Sequence, residues 1–339
     1  MNKKDFFEIL RSVYDHTQNL DECFRIINAH LFKILPQSLY RYRKISDDSI
    51  DAFEKDKFIT VSATKFNDPY DTLVTYNSDD IKTYLYELLS DEILIELKSM
   101  AQSSNEFFIL GSFSKELKEL CGIYKQQIIK CGTKKDLADC ILNMMSSEVF
   151  RNKIVRPLKD VLKGYATIGC LCERNDSILM WSHYTNSHQG FLLEYDTVSL
   201  WEISANNDAL LLPVDYSQLR YNATELILSN VLRFIGLNMP KWNIFEVIMS
   251  MIKKSDEWAY ENEWRIIRFP KRQEDIHNEV EIFSCMPKAI YYGANITKNN
   301  RERLHSIAVR KNIPEFEMFL DETSSRFSMN YKLVQNNQL

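Results

Sequence analysis

Glycine and proline are scarce, eight of each in 339 residues, which speaks against long flexible linkers and collagen-like or low-complexity architecture. No glycine-rich loop joins a strand to a helix, so neither a P-loop nor a Rossmann dinucleotide fingerprint is present. No apolar run reaches the length of a membrane span. The first residues, MNKKDFFEILRSVYDH, lack the apolar centre of a signal peptide. The seven cysteines are odd in number, scattered, and without a CxxC pair, which argues against a zinc ribbon or a disulfide framework. A cytoplasmic protein with reduced thiols is expected. The formal charge of −5 speaks against broad coating of nucleic acid, because phosphate contacts are dominated by Lys and Arg.

What is present is ordinary globular material, 45% apolar and 26% charged, enough for one large core or two modest ones. Apolar residues recur at helical spacing over residues 4–35, and Pro36 ends that segment. Leu39–Lys44 alternates, with Tyr40 and Tyr42 on one side and Arg41 and Arg43 on the other, as on an edge strand. Phe58–Thr64 is a second strand rich in β-branched residues, placing Thr60, Ser62 and Thr64 on one face. Asn67-Asp68-Pro69 is a turn signal.

Residues 79–163 read as almost wholly helical, with Phe107–Ile129 and Lys135–Leu162 among the helices, and Met144, Met145, Val149 and Phe150 as core filling. Strand character returns at Tyr165–Cys172, with Cys170 and Cys172 on one face. A short helix, Ser177–Tyr184, and a strand, Gly190–Asp196, follow. Further strands are expected at 209–216, 279–284, 289–292, 316–320 and 327–333, and helices near 223–236, 242–254 and 298–311. This grouping predicts an α+β fold with a mixed or antiparallel sheet. Residues 1–36 form an N-terminal helical segment, and 37–339 a single domain with a helical insertion at about 79–163.

The chemistry concentrates in Asp256–Phe269, DEWAYENEWRIIRF. Read as extended from Glu261 onward, it puts Glu261, Glu263 and Arg265 on one face and Trp264 and Ile266 on the other. Trp181, His183 and Tyr184 form an aromatic, hydrogen-bonding cluster suited to orienting a flat ring. His183 and His188 are five apart, a poor match to a helical zinc pair.

Taken together, LYRYR (39–43), SATKFNDPYD (62–71), LMWSHYTNSHQGFLLEYD (179–196), WAYENEWRI (258–266) and AIYYGAN (289–295) resemble the bacterial proteins grouped as domain of unknown function 2971. The similarity runs over roughly residues 39–310. A second resemblance is to ADP-ribosyltransferases of the arginine–serine–glutamate type. It implies an ADP-ribosyltransferase-like core and NAD as substrate. Arg43 or Arg41 would grip the pyrophosphate, and Thr60 and Ser62 would shape the nicotinamide–ribose pocket. Glu263 would stabilise the developing oxocarbenium charge, and Glu261 would position or deprotonate the acceptor. Tyr42, Trp181 or Tyr184, with His183 beside them, would stack on nicotinamide. A bacterial defence or toxin effector would fit that chemistry, with an acceptor that is protein, nucleic acid or small molecule.

Two rival readings stand beside it. Asp68, Asp71, Glu261 and Glu263 would converge on a divalent cation in a nuclease, with His183 as base and Arg43 and Lys65 on the phosphate. Alternatively the aromatic frame is a ligand or partner surface of a sensor or accessory protein. In that case Glu261 pairs with Arg265 and Glu263 is solvated.

Overall fold

The structure, a computed structural model, describes residues 1–16, 20–103, 114–239, 244–269 and 280–334. Parts of the expected helices at 107–113 and 242–243, and the expected strand start at 279, lie outside the described residues. Contacts divide the chain into two compact units, Met1–Asp68 with Gly164–Gln218 and Ile252–Leu339, and Pro69–Lys163 with Leu219–Met251.

Every described strand lies in the first unit: β1 (Ser38–Arg43), β2 (Lys57–Ser62), β3 (Thr167–Cys172), β4 (Phe191–Asp196), β5 (Ala209–Pro213), β6 (Asp215–Ser217), β7 (Lys253–Ser255), β8 (Glu263–Arg268), β9 (Val280–Ser284), β10 (Ala289–Tyr292), β11 (Glu315–Leu320) and β12 (Met329–Leu333). Ten form one sheet in the order β12-β11-β10-β4-β1-β3-β2-β9, with β8 also beside β3 and β5 beyond β8. Its described ladders are antiparallel except β10 with β11. The α+β class with a mixed, mostly antiparallel sheet therefore holds. β6 and β7 pair in parallel as a separate ribbon.

The sheet forks at β3. One edge of β3 is taken along its whole length by β8. The other edge is shared, β2 pairing at Thr167 and Ile168 and β1 at Cys172. β1 and β2 therefore diverge, and their backbone groups in the fork need other partners. Arg41 supplies one, its Nη2 donating to the Ile59 carbonyl at 2.5 Å. Its guanidinium lies 4.3 Å from the centre of the Phe58 ring. Gly169 on β3 leaves room for that ring, since a Cβ there would stand 2.5 Å from Phe58 Cε1.

Paired residues on neighbouring strands share a face. Glu263 pairs with Cys172, Arg265 with Cys170, and Cys172 with Tyr40, so Tyr40, Tyr42, Glu263 and Arg265 share one face. Ser62 pairs with Thr167, so Thr60 and Ser62 belong to the opposite face, as do Arg41 and Arg43. The first of these faces is covered by the helix Ile178–Tyr184, started by the Ser177 hydroxyl accepting from the Met180 amide at 3.4 Å. Its Trp181 packs there with Tyr42, Cys172, Leu192, Tyr291 and Met318 in one buried cluster.

The second unit is helical where described. It includes Ser78–Leu88, Asp91–Ser103, Lys115–Lys130, Lys134–Ser146 and Thr224–Phe234, with Leu85, Leu97, Leu117, Leu137, Ile227 and Val231 buried. Met144, Met145 and Phe150 are buried with them, as core filling requires. Among the described residues, no helix is long and apolar enough to cross a membrane.

Candidate functional site

The opening acids of the WAYENEW motif do not sit on one strand. Asp256–Glu261 is a 3-10 helix, started by Ser255, and Asn262 closes it in the left-handed region at φ 45°, ψ 50°. β8 begins only at Glu263. The expected extended run from Glu261 is therefore corrected. The preference for a local helical turn, ended by a residue that tolerates positive φ, overrides simple alternation. The reversal at Asn262 nonetheless delivers both carboxylates to one cation. Lys254 on β7 donates from Nζ to Glu261 Oε2 at 2.6 Å and to Glu263 Oε2 at 2.8 Å.

Arg265 completes the cluster, its Nε donating to Glu263 Oε1 at 2.8 Å and its Nη2 to Oε2 at 3.2 Å. Tyr216, opposite Lys254 in the β6–β7 ribbon, accepts from the Glu263 amide at 2.8 Å through its hydroxyl. Tyr184, at the end of the 178–184 helix, donates its hydroxyl to Glu261 Oε1 at 2.7 Å. Two acids and two bases thus share a site in which Arg265 has no exposed surface and Lys254, the most exposed, retains 8%. Glu263 is buried and doubly paired, which overturns the solvated reading. The proposed Glu261–Arg265 bridge is replaced by Glu261–Lys254 and Glu263–Arg265.

The two carboxylates differ in character. Burial alone would raise Glu263, but the charges of Arg265 and Lys254 outweigh it and hold the carboxyl well below the ordinary range. Glu261 is raised by burial, reinforced by Glu263, with Lys254 and Tyr184 opposing. Glu261 is the carboxyl poised to take up a proton, and its neighbour Tyr184 keeps part of its surface in solvent. Burial, followed by the adjacent Glu261 charge, raises the Tyr184 phenol.

Tyr40, Tyr184, Tyr260 and Phe316 are partly buried against the core of the covered face. A further buried carboxylate, Glu194, accepts from Tyr291 at 2.7 Å and pairs with Lys288 at 3.1 Å.

The remaining sequence candidates divide. Trp181 is fully buried, its indole donating to the Asn175 carbonyl at 2.7 Å. Tyr42 meets it edge-on at 5.1 Å. Both rings are core and neither is available for stacking on a ligand. His183 is exposed, while His188 adopts φ 66° in a left-handed turn with Asn186 and Ser187. Arg41 and Arg43 lie on the face opposite Glu263, and β1 is a central strand between β4 and β3, not an edge. Burial lowers both guanidinium pKa values.

The hydroxyl stripe is internally engaged: Thr60 with Thr167 and Ser62 with Thr64, both at 2.8 Å. β2 also ends at Ser62, and Ala63–Lys65 is a 3-10 turn. The structure therefore gathers Tyr184, Glu261 and Glu263, and places Arg41, Arg43, Thr60 and Ser62 across the sheet from them. Asp68 falls in the first unit and Asp71 in the second. Among the described residues, no group of three or more His, Cys, Asp or Glu side chains is placed to hold a metal ion.

Sequence reasoning missed Lys254 and Tyr216. The ribbon that pairs residues 215–217 with 253–255 brings in Tyr216, and the 3-10 turn over Asp256–Glu261 brings both glutamates back to Lys254. The fold and site define an α+β protein with a mixed sheet, one face of which carries a buried two-acid, two-base cluster. Residues 180–266 match the family described as protein of unknown function (DUF2971), bearing out that resemblance over this part of the expected 39–310. The matched segment contains Tyr184, Tyr216, Lys254, Glu261, Glu263 and Arg265. No curated protein and no solved structure matches the chain.

Proposed function

We propose that the Tyr184–Glu261 end of the charge cluster is an acid–base site for a flat, electron-poor ring held in N-glycosidic linkage, and that NAD is its substrate. The observation that carries this reading is the Tyr184–Glu261 hydrogen bond at the partly exposed end of a buried charge cluster. Burial raises the Glu261 carboxyl above its ordinary range, which makes it a stronger base than an exposed glutamate. Tyrosine faces and nearby carboxylates attract a cationic ring such as nicotinamidium.

In this scheme the nicotinamide–ribose C–N bond breaks and its electron pair leaves with nicotinamide. An acceptor water or hydroxyl oxygen bonds the ribose carbon, and its proton passes to Glu261. Glu263 fixes Lys254 and Arg265 and does not touch substrate. The Arg–Ser–Glu assignment of roles is accordingly replaced, with Arg41, Arg43, Thr60 and Ser62 acting as sheet-forming residues.

The test is release of nicotinamide from NAD by purified protein. Glu261→Gln is expected to lower it about 10²–10⁴-fold while thermal unfolding still shows a folded chain. Tyr184→Phe is expected to shift the pH profile. Absence of release from the wild-type protein, together with no NAD-dependent rise in melting temperature, contradicts the proposal.

One observation favours a second reading, a non-enzymatic ligand sensor. Each charge of the cluster already has an opposite partner inside the protein. A rise in melting temperature with NAD but no nicotinamide release would select it.

A further inference from the structure

The second unit holds a cationic pocket that the scheme above does not use. A cavity of about 220 Å³ is lined by Tyr76, Arg151, Asn152, Arg156 and Lys159, with Glu148 as its one carboxylate. It is built on a helix interrupted by a single π-turn, Arg151–Val155, a distortion frequent at functional sites. Positions 151, 155 and 159 recur at intervals of four, as do 152 and 156, so the lining side chains share one face. Lys159 Nζ sits 4.8 Å from the centre of the Tyr76 ring. Burial lowers the Lys159 pKa, and Arg220 and Arg156 lower it further. Among the described residues, Arg151, Arg156 and Lys159 enter no ion pair, so three cations converge with a single acid beside them.

We infer that this pocket binds a small phosphate-bearing anion, with the exposed Arg151 and Arg156 gripping its oxygens and Lys159, half-buried and seated on Tyr76, as the point charge. Planar guanidinium groups pair two oxygens at once, and an ammonium serves as a compact third contact. The cavity is smaller than a typical drug-sized pocket of about 300–1,000 Å³, which suits a diphosphate or the phosphate end of a nucleotide. It does not suit a whole dinucleotide.

The experiment is calorimetric titration of the full chain with sodium pyrophosphate and, separately, ADP. Saturable one-to-one binding that weakens at least tenfold in both Lys159→Gln and Arg151→Gln supports the inference. Tighter binding of ADP than of pyrophosphate, lost in Tyr76→Leu, identifies a nucleotide as the source of the phosphate. Equal affinities that Tyr76→Leu leaves equal identify a free phosphate anion. Circular dichroism of each variant confirms that the helices remain. The inference is overturned by no saturable binding of either anion, by a stoichiometry above one, or by affinities unchanged in both variants.

Discussion

Glu263 and Glu261 are two residues apart and chemically unlike, because their surroundings are. Glu263 is buried and faces two cations, and replacing it by Gln leaves Lys254 and Arg265 undercompensated. Breaking a buried pair in this way costs about 3–5 kcal/mol, so Glu263→Gln is expected to lower the urea midpoint sharply. Glu261→Gln leaves Lys254 paired with Glu263 and should cost less. Equal losses would contradict the distinction.

The pH dependence follows with opposite signs. Glu263, depressed in the folded chain, contributes stability that is present above the unfolded carboxylate pKa of about 4 and lost as pH falls toward its folded value. Glu261, raised in the folded chain, acts the other way, favouring the fold as pH falls through its raised pKa. Stability measured from neutral pH downward should therefore fall less steeply in Glu263→Gln than in the wild type. In Glu261→Gln it should fall more steeply.

At the scale of elements, two backbone positions carry the arrangement. Asn262 turns the chain from 3-10 helix to strand in the left-handed region, where a Cβ costs about 1–2 kcal/mol unless the residue is Gly or Asn. Asn262→Ala is expected to destabilise by about that amount, with Asn262→Gly close to neutral. Gly169 admits the Phe58 ring into the β1–β2 fork, and a Cβ there meets Phe58 Cε1 at 2.5 Å and Thr60 Cγ2 at 3.1 Å. Overpacking of this kind costs about 1–3 kcal/mol, so Gly169→Ala should lower the thermal midpoint while leaving nicotinamide release per folded molecule unchanged.

The strands themselves were readable. β1, β4 and β10 emerge from alternation and β-branched runs to within a residue or two, as does the 178–184 helix from its serine cap. What alternation could not reveal is the fork at β3. It decides that Arg41 and Ser62 face away from Glu263, and it depends on which strands share an edge. Nor could it reveal the 3-10 turn over Asp256–Glu261, whose acids and aromatics fit a strand pattern equally well.

At the scale of the molecule, the sheet unit is assembled from three segments and the helical unit from two. The cluster joins residues 184, 216, 254, 261, 263 and 265, all from the segment that matches the family. The motif order in the sequence pointed to the stretch that matches the family, and the structure brings Glu261, Glu263 and Tyr184 from it into one cluster. Their roles were not legible in the sequence, because Lys254 reaches both carboxylates only once the 3-10 turn over Asp256–Glu261 folds them back onto it. Arg41 looked like a phosphate clamp because a lone arginine on a strand gives no sign of being buried.

The most direct test is a carbon-detected NMR titration of the glutamate side-chain carboxyls, with Glu261 assigned from the signal missing in Glu261→Gln. The account predicts that Glu261 titrates above the ordinary glutamate range and moves in Tyr184→Phe, while Glu263 stays ionised to the lowest pH at which the chain is folded. A Glu261 that titrates in the ordinary range and ignores Tyr184, or a Glu263 that takes up its proton first, would contradict it.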